Sequence, residues 1–495
     1  MKPYVVLGVR NLTFLEMYAV LDSYLYSIQG TACQIKKAFY HAEGFPAHLC
    51  HHIEDRKRIR ILLEQELREG KYTQAFFDAI DKSYKDILVQ LRNFTLINFS
   101  SASHNELLSY YQIFYQIYLK TIHPMVLAIY ASDLQDLFES ELKKVLPQEK
   151  QTTEYVLAST SIFLTPSRLT TVQKEEQLLF EIECAFEKGN VAKTKEASEI
   201  FFQKKEIKEK LQNLEKNYGS FHMEYIGEPW KVSDYKAHLW KRIQEISSKD
   251  WKDQKSPEDR LDIIKNQQKD FFLQHQSSFL QDLVFAMQEF LIVLDYSKAD
   301  LVEGIYLARP LLEEIGKRTE AGSWIDIRYL LPYEVEHMLE HKITVHKDLI
   351  EKRKGVMAML LSGNTISVYD GKQALHLREQ LIQKYDTENI KELKGLTAHP
   401  GKVRGKVTLV TGAHDRAKFN KGDIMVTRDT TTELTSIIKK ASAIVADQGG
   451  LLSHTALVAR EFKIPCIVQS KIGTKIFQDG DLIEVDADNG IVRKL

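Results

Sequence analysis

Cysteine is scarce in this 495-residue chain, and the four present (Cys33, Cys50, Cys184 and Cys466) lie far apart. They make neither a disulfide framework nor a zinc-ligand spacing, which points to a reducing, cytoplasmic setting. Proline (11) and glycine (23) are few for the length, so little interrupts helix and a largely helical chain is expected. Neither sign of charge is in surplus: 67 Lys and Arg against 68 Asp and Glu leave a net charge of −1. That balance argues against a nucleic-acid partner, which needs a basic surface. Long apolar runs are missing as well. Stretches such as Phe290 to Leu294 are far too short to span a bilayer, so no membrane partner is expected. Arg10 and Glu16 interrupt the apolar N-terminal stretch, which makes it a poor signal peptide. No G-x-x-x-x-G-K-[ST] phosphate loop occurs.

What remains is periodicity. From Leu12 to about Leu146 apolar residues recur at helical spacing, as in Leu62, Leu63, Leu67 and Leu107, Leu108, Tyr111. Breaks are expected at Gly44-Phe45-Pro46 and His123-Pro124. Residues 191–217 predict a charged amphipathic helix with Ile200, Phe201, Ile207, Leu211 and Leu214 inward. Residues 219–234 break the pattern and mark a sub-boundary. Helices resume to Leu349, Ile366 to Tyr369 predicts a strand, and the polar run 386–397 predicts a hinge. The fold class expected is therefore multidomain. A mainly α-helical body occupies 1–385, and a C-terminal α/β domain occupies 398–495.

Within that domain, residues 442–468 read as strand, glycine turn, helix, strand. Ala443 to Ala446 is short, apolar and buried in character. Gly449 and Gly450 supply the turn, Ser453 the N-cap, and Pro465 ends the helix. His454 then falls at a helix start, where backbone N–H groups and the helix dipole favour an anion. The same field disfavours a second positive charge, so it should depress the imidazole pKa and leave a nitrogen lone pair for attack. Such a histidine is suited to take up and release a phosphoryl group.

The stretch resembles the mobile phosphohistidine domain of the phosphoenolpyruvate-utilising enzymes, among them phosphoenolpyruvate synthase, pyruvate phosphate dikinase and rifampicin phosphotransferase. The resemblance runs from about Leu396 to the C-terminus. It takes in Ala398-His399-Pro400-Gly401 with Gly405, and Gly422-Asp423-Ile424-Met425-Val426-Thr427. It continues through Lys440 to Val445, Gly449 to Ala456, Ala459-Arg460-Glu461 and Ile464-Pro465. It implies that His454 is phosphorylated in a catalytic cycle, with Gly449, Gly450, Ser453, Thr455 and Arg460 as its phosphate-binding surroundings. It also implies a swivelling domain. Thr430-Thr431-Thr432 departs from the relatives' Thr-Asp-Pro, and Ile467-Val468-Gln469-Ser470 from their Val-Val-Gly-Thr. More loosely, Tyr218 to Trp230 and Leu307 to Leu339 resemble the helical region that holds the acceptor in rifampicin phosphotransferase.

No counterpart of the family's ATP-grasp domain or pyruvate-binding barrel is expected in this chain. ATP and Mg2+ are therefore expected on a separate ATP-grasp partner, and a small-molecule acceptor on the helical body. A phosphocarrier or regulatory binding protein without acceptor chemistry is the other reading. Two motifs compete. His337-Met338-Leu339-Glu340-His341 fits a metalloprotease H-x-x-E-H but lacks a third ligand, and His48-Leu49-Cys50-His51-His52 suits no tetrahedral pattern. No metal site is expected.

Overall fold

The computed structural model describes residues 4–495 apart from 11–13, 25–34, 44–46, 224–227, 246–254, 346, 383–389, 391, 413–414, 416–417, 429, 431–433 and 452. The predicted break at Gly44-Phe45-Pro46 thus lies outside the described residues. The chain divides into two compact units, Met1–Leu164 with Ser277–Leu495, and Thr165–Gln276.

In the first unit the helices His104–Ala131 and Ser278–Leu307 pack along one another. Both carry long apolar stripes, and Leu107, Tyr111, Phe114, Tyr118, Met287, Phe290 and Val293 are buried. Pro124 does not end its helix, contrary to the sequence reading. A proline ring crowds the carbonyl a turn earlier, and there the Tyr84 hydroxyl donates to the Thr121 carbonyl from a neighbouring helix. Tertiary contact thus supplies a hydrogen bond beside the proline.

The purely helical reading of residues 12–146 also fails at two places. Lys37–Glu43 (β2) and Ala47–His52 (β3) are strands, joined by Tyr4–Arg10 (β1), Val356–Ser362 (β4) and Thr365–Asp370 (β5) in an antiparallel sheet of order β1-β3-β2-β4-β5. The partner that buries β2 is β4, some 320 residues on in the chain, with Phe39 opposite Leu360 and Ala42 opposite Met357. A local pattern does not reveal so distant a partner.

The second unit is helical. Its core joins Leu179, Ile182, Phe186, Phe201, Ile207, Leu211, Leu214, Tyr235 and Leu239. The single helix expected over 191–217 is two, Lys195–Phe202 and Lys205–Tyr218. The turn at Gln203 and Lys204 changes the phase, which leaves Ile200 71 % exposed while Phe201 is buried.

The C-terminal sheet has eight strands: β6 (Glu392–Lys394), β7 (Leu396–His399), β8 (Lys402–Val410), β9 (Ile424–Thr427), β10 (Ala443–Ala446), β11 (Cys466–Val468), β12 (Leu482–Asp486) and β13 (Ile491–Lys494). Their order is β6-β13-β12-β8-β9-β10-β11-β7, and the central run β8-β9-β10-β11 is parallel. Parallel strands covered on both faces read as unbroken apolar runs, as β9 and β10 do, buried at every position. Val407, Ile424, Val426, Ala443, Val445, Ile467, Ile483 and Val485 form the core. The stretch read as a hinge, 386–397, is corrected in its second half. Residues 392–394 pair with β13 and 396–399 with β11, so they belong to the sheet, and 386–389 and 391 lie outside the described residues.

Candidate functional site

In an open parallel sheet, the carboxyl ends of the central strands are where a ligand is met. The chain leaves the carboxyl end of β10 through Asp447 and Gln448, whose amides donate to the Thr427 and Arg428 carbonyls at 3.0 and 2.9 Å. Asp447 then ties this loop to the next one. Its carboxylate accepts from the Ser470 hydroxyl at 2.7 Å, from the Thr474 amide at 3.0 Å, and from the Gly473 amide and Thr474 hydroxyl. Buried and multiply bonded, it fixes where the following turn begins.

Gly449 sits at φ +92°, a conformation that costs a side-chain-bearing residue. A Cβ there would also lie 2.8 Å from Ser453 Oγ and 2.9 Å from Ser453 Cβ. The glycine is therefore needed for both its conformation and the room it leaves. Ser453 is an N-cap in extended conformation (φ −73°, ψ 158°), its hydroxyl accepting from the Ala456 amide at 3.3 Å. Its own amide donates to the Gly450 carbonyl at 2.9 Å. The helix His454–Phe462 begins on the next residue and closes at Lys463 in the left-handed conformation, φ +54°.

His454 is thus the first residue of a nine-residue helix, as the sequence predicts. Its side chain lies outside the described part of the structure, so the site is drawn from its neighbours. The leading N–H groups of a helix have no intrahelical acceptor, and with the dipole they favour an anion by about 0.3–1 kcal/mol. Thr455 is wholly buried, its hydroxyl bonded to that of Thr430 at 2.7 Å, so it braces the turn from inside.

Gly449, Gly450, Ser453 and Thr455 therefore converge on one turn. Arg460 follows six residues later, roughly 9 Å along the helix axis. It is only 5 % exposed, and among the described residues none of its three guanidinium nitrogens meets a hydrogen-bond acceptor. An unpaired buried charge of this kind costs several kcal/mol. Burial draws its pKa down to about 10. The neighbouring groups do not compensate it. Burial pushes the Cys466 thiol up to about 12, and burial with the nearby Arg460 and Lys463 charges draws His399 down to about 4. Sequence reasoning missed Asp447, Thr430 and His399. An acid directly after a buried strand was the available signal for Asp447.

The two competing motifs lie on β3 and on the helix Pro332–His341. On β3, His51 and His52 point to opposite faces, as neighbours on a strand do. His51 is fully buried with both ring nitrogens engaged, Nε2 with the Tyr24 hydroxyl at 2.9 Å and Nδ1 with that of Tyr130. No lone pair is left there for a metal. His337 and His341 meet edge to face on the exposed side of the helix Pro332–His341. Among the described residues, no three His, Cys, Asp or Glu side chains form a metal-ligand set. None of the described helices is long and apolar enough to cross a membrane.

Residues 419–490 match the PEP-utilising enzyme mobile domain. The chain is similar to the phosphoenolpyruvate synthase of Pyrococcus furiosus, with 43% identity over 102 residues, covering 21% of this chain and 12% of that one. It is similar to the phosphoenolpyruvate synthase of Aeropyrum pernix at 41% over 101 residues, or 20% and 12%. An uncharacterised phosphotransferase of Bacillus subtilis is 31% identical over 194 residues, covering 37% and 23%. The last alignment is longer than the whole C-terminal sheet, so the similarity reaches into the residues ahead of it. The chain spans about a quarter or less of the length of these relatives.

Proposed function

We propose that this protein is a phosphotransferase component in which His454 carries a phosphoryl group. The observation that supports it most is the N-capped helix beginning on that histidine, behind a glycine turn at the carboxyl end of β10. Gly449, Gly450, Ser453 and Thr455 shape the cradle, and Arg460 supplies the buried positive charge behind it. In charging, an imidazole nitrogen attacks the β-phosphorus of ATP on an ATP-grasp partner that also holds Mg2+, the bond from the β-phosphorus to the AMP oxygen breaks and AMP leaves, and water then cleaves the β–γ linkage of the pyrophosphoryl-histidine to release phosphate and leave the β-phosphoryl group on the ring. In discharge, an acceptor oxygen attacks the phosphorus, the N–P bond breaks, and its electron pair returns to the ring. The acceptor is held by the helical region, and the domain swivels between the two stations, which separates chemistries that cannot share one atom's surroundings.

The test uses β- and γ-labelled ATP with a candidate ATP-grasp partner. Acid-labile β-label should appear on wild type and be absent from His454→Ala. If label stays on the protein with every small molecule tried and passes only to a protein, the chain is a phosphocarrier without acceptor chemistry.

A further inference from the structure

A sheet edge is a row of backbone N–H and C=O groups open to any extended chain, so folded proteins blunt it. Three of the edges here are blunted. β6 has three residues, two of them charged, Glu392 and Lys394. β7 has four, is followed by Pro400, and lies against the helix Thr153–Phe163. β1 shifts register between Val6 and Gly8 and bridges to Ile382 at Tyr4. β5 has none of these devices. Its six residues pair with β4 without a register shift, and Ile366, Ser367, Val368 and Tyr369 between its ends are uncharged.

The hairpin fixes which groups point outward. Gly363 and Asn364 alone join β4 to β5, with Gly363 at φ +62° and Ser362 opposite Thr365. In such a two-residue turn the flanking pair exchanges hydrogen bonds, and the exchange then alternates along the ladder. Thr365, Ser367 and Tyr369 therefore bond to β4. Ile366 and Val368 turn their N–H and C=O groups away from it, as Asp370 does its N–H. Among the described residues no backbone group answers them, and β5 has β4 as its one neighbour in the sheet.

An antiparallel strand with the same alternation completes this edge, and a second β5 has it. A two-fold axis perpendicular to the sheet through Val368 sets Val368 against its copy, Ser367 against Tyr369 and Ile366 against Asp370. No like charges face one another in that register, and a net charge of −1 sets no repulsion between copies. The helix Gly371–Leu381 packs on β4 and β5, with Ala374 and Leu377 in one core with Ala358 and Leu360. The axis places this helix on the same sheet face as its copy, so the contact extends beyond the strands.

We propose that β5 is a homodimer interface, at which two copies pair antiparallel about Val368 and join their five-stranded sheets into one. This is independent of what His454 carries.

The test is sedimentation of the full chain from submicromolar to high micromolar concentration, as wild type, Val368→Lys and Val368→Cys. Wild type should reach twice the chain mass of 57.2 kDa and dissociate on dilution. Val368→Lys sets two ammonium groups across the axis and should raise the dissociation constant about tenfold or more, with circular dichroism unchanged. Val368→Cys should form a covalent dimer on mild oxidation, because directly opposed residues lie about 4.5–5.5 Å apart at Cα, within disulfide reach. Thr365→Cys, which faces no copy of itself, is the control. Should Val368→Lys fail to fold, the Val368→Cys link decides. A monomeric wild type, a dimer that Val368→Lys leaves as tight, or Val368→Cys linking no faster than Thr365→Cys overturns the proposal. A monomer whose β5 amides gain protection from hydrogen exchange only with an ATP-grasp partner assigns the edge to another protein's strand and overturns it too.

Discussion

At the scale of single residues, the structure separates what turns on chemistry from what turns on space. Gly449 answers to both. With φ at +92° and Ser453 against its face, Gly449→Ala should lower stability by about 1 kcal/mol or more and misplace the turn ahead of His454. The checks are the unfolding midpoint and the rate at which label appears on the protein. Ser453→Ala removes the N-cap and should cost about 0.5–2 kcal/mol, with Ser453→Asp as the rescuing variant.

His51 gives a pH prediction. Burial, with a smaller contribution from Arg56, draws its pKa down to about 3, below the ordinary value near 6.5 of the unfolded chain. The unfolded state then binds more protons across that window. Stability from this group is present above pH 6.5 and is lost as pH falls toward 3, at up to about 1.4 kcal/mol per pH unit. Unfolding of wild type between pH 7 and 4 should show this loss, and a flat profile would refute it. His51→Gln should flatten the profile as well as weaken the Tyr24 and Tyr130 contacts.

At the scale of elements, legibility followed the reach of the contacts. Ala443–Ala446 is read directly because four small apolar residues between polar ends suit only a strand buried on both faces. The helix after it is read from Ser453 and Pro465, which act within a turn of themselves. β2 and β3 are not legible, because what makes them strands is β4 far along the chain. Pro124 misleads for the same reason. Its local rule is sound, but a hydroxyl from another helix answers one of the carbonyls around it. The Glu16–Arg328 pair is the sharpest case. Both side chains are fully buried, Arg328 Nε donates to Glu16 Oε1 at 2.8 Å, and 312 positions separate them. Replacing one partner, as in Glu16→Leu, should cost about 3–5 kcal/mol by stranding the other's charge. The denaturation midpoint measures that cost.

At the scale of the molecule, the C-terminal strand, glycine turn and helix beginning on His454 are the part whose structure was readable from sequence. The turn at the carboxyl end of β10 is set by short-range turn and cap rules. The helical region offered no comparable motif, because the contacts that build a helical body join residues with no fixed spacing. The most direct measurement of the central claim is labelling with β-labelled ATP in the presence of an ATP-grasp partner. Acid-labile label confined to His454, and abolished in His454→Ala with the fold intact, is the predicted result. Label on another residue, or equal label on the alanine variant, would contradict it.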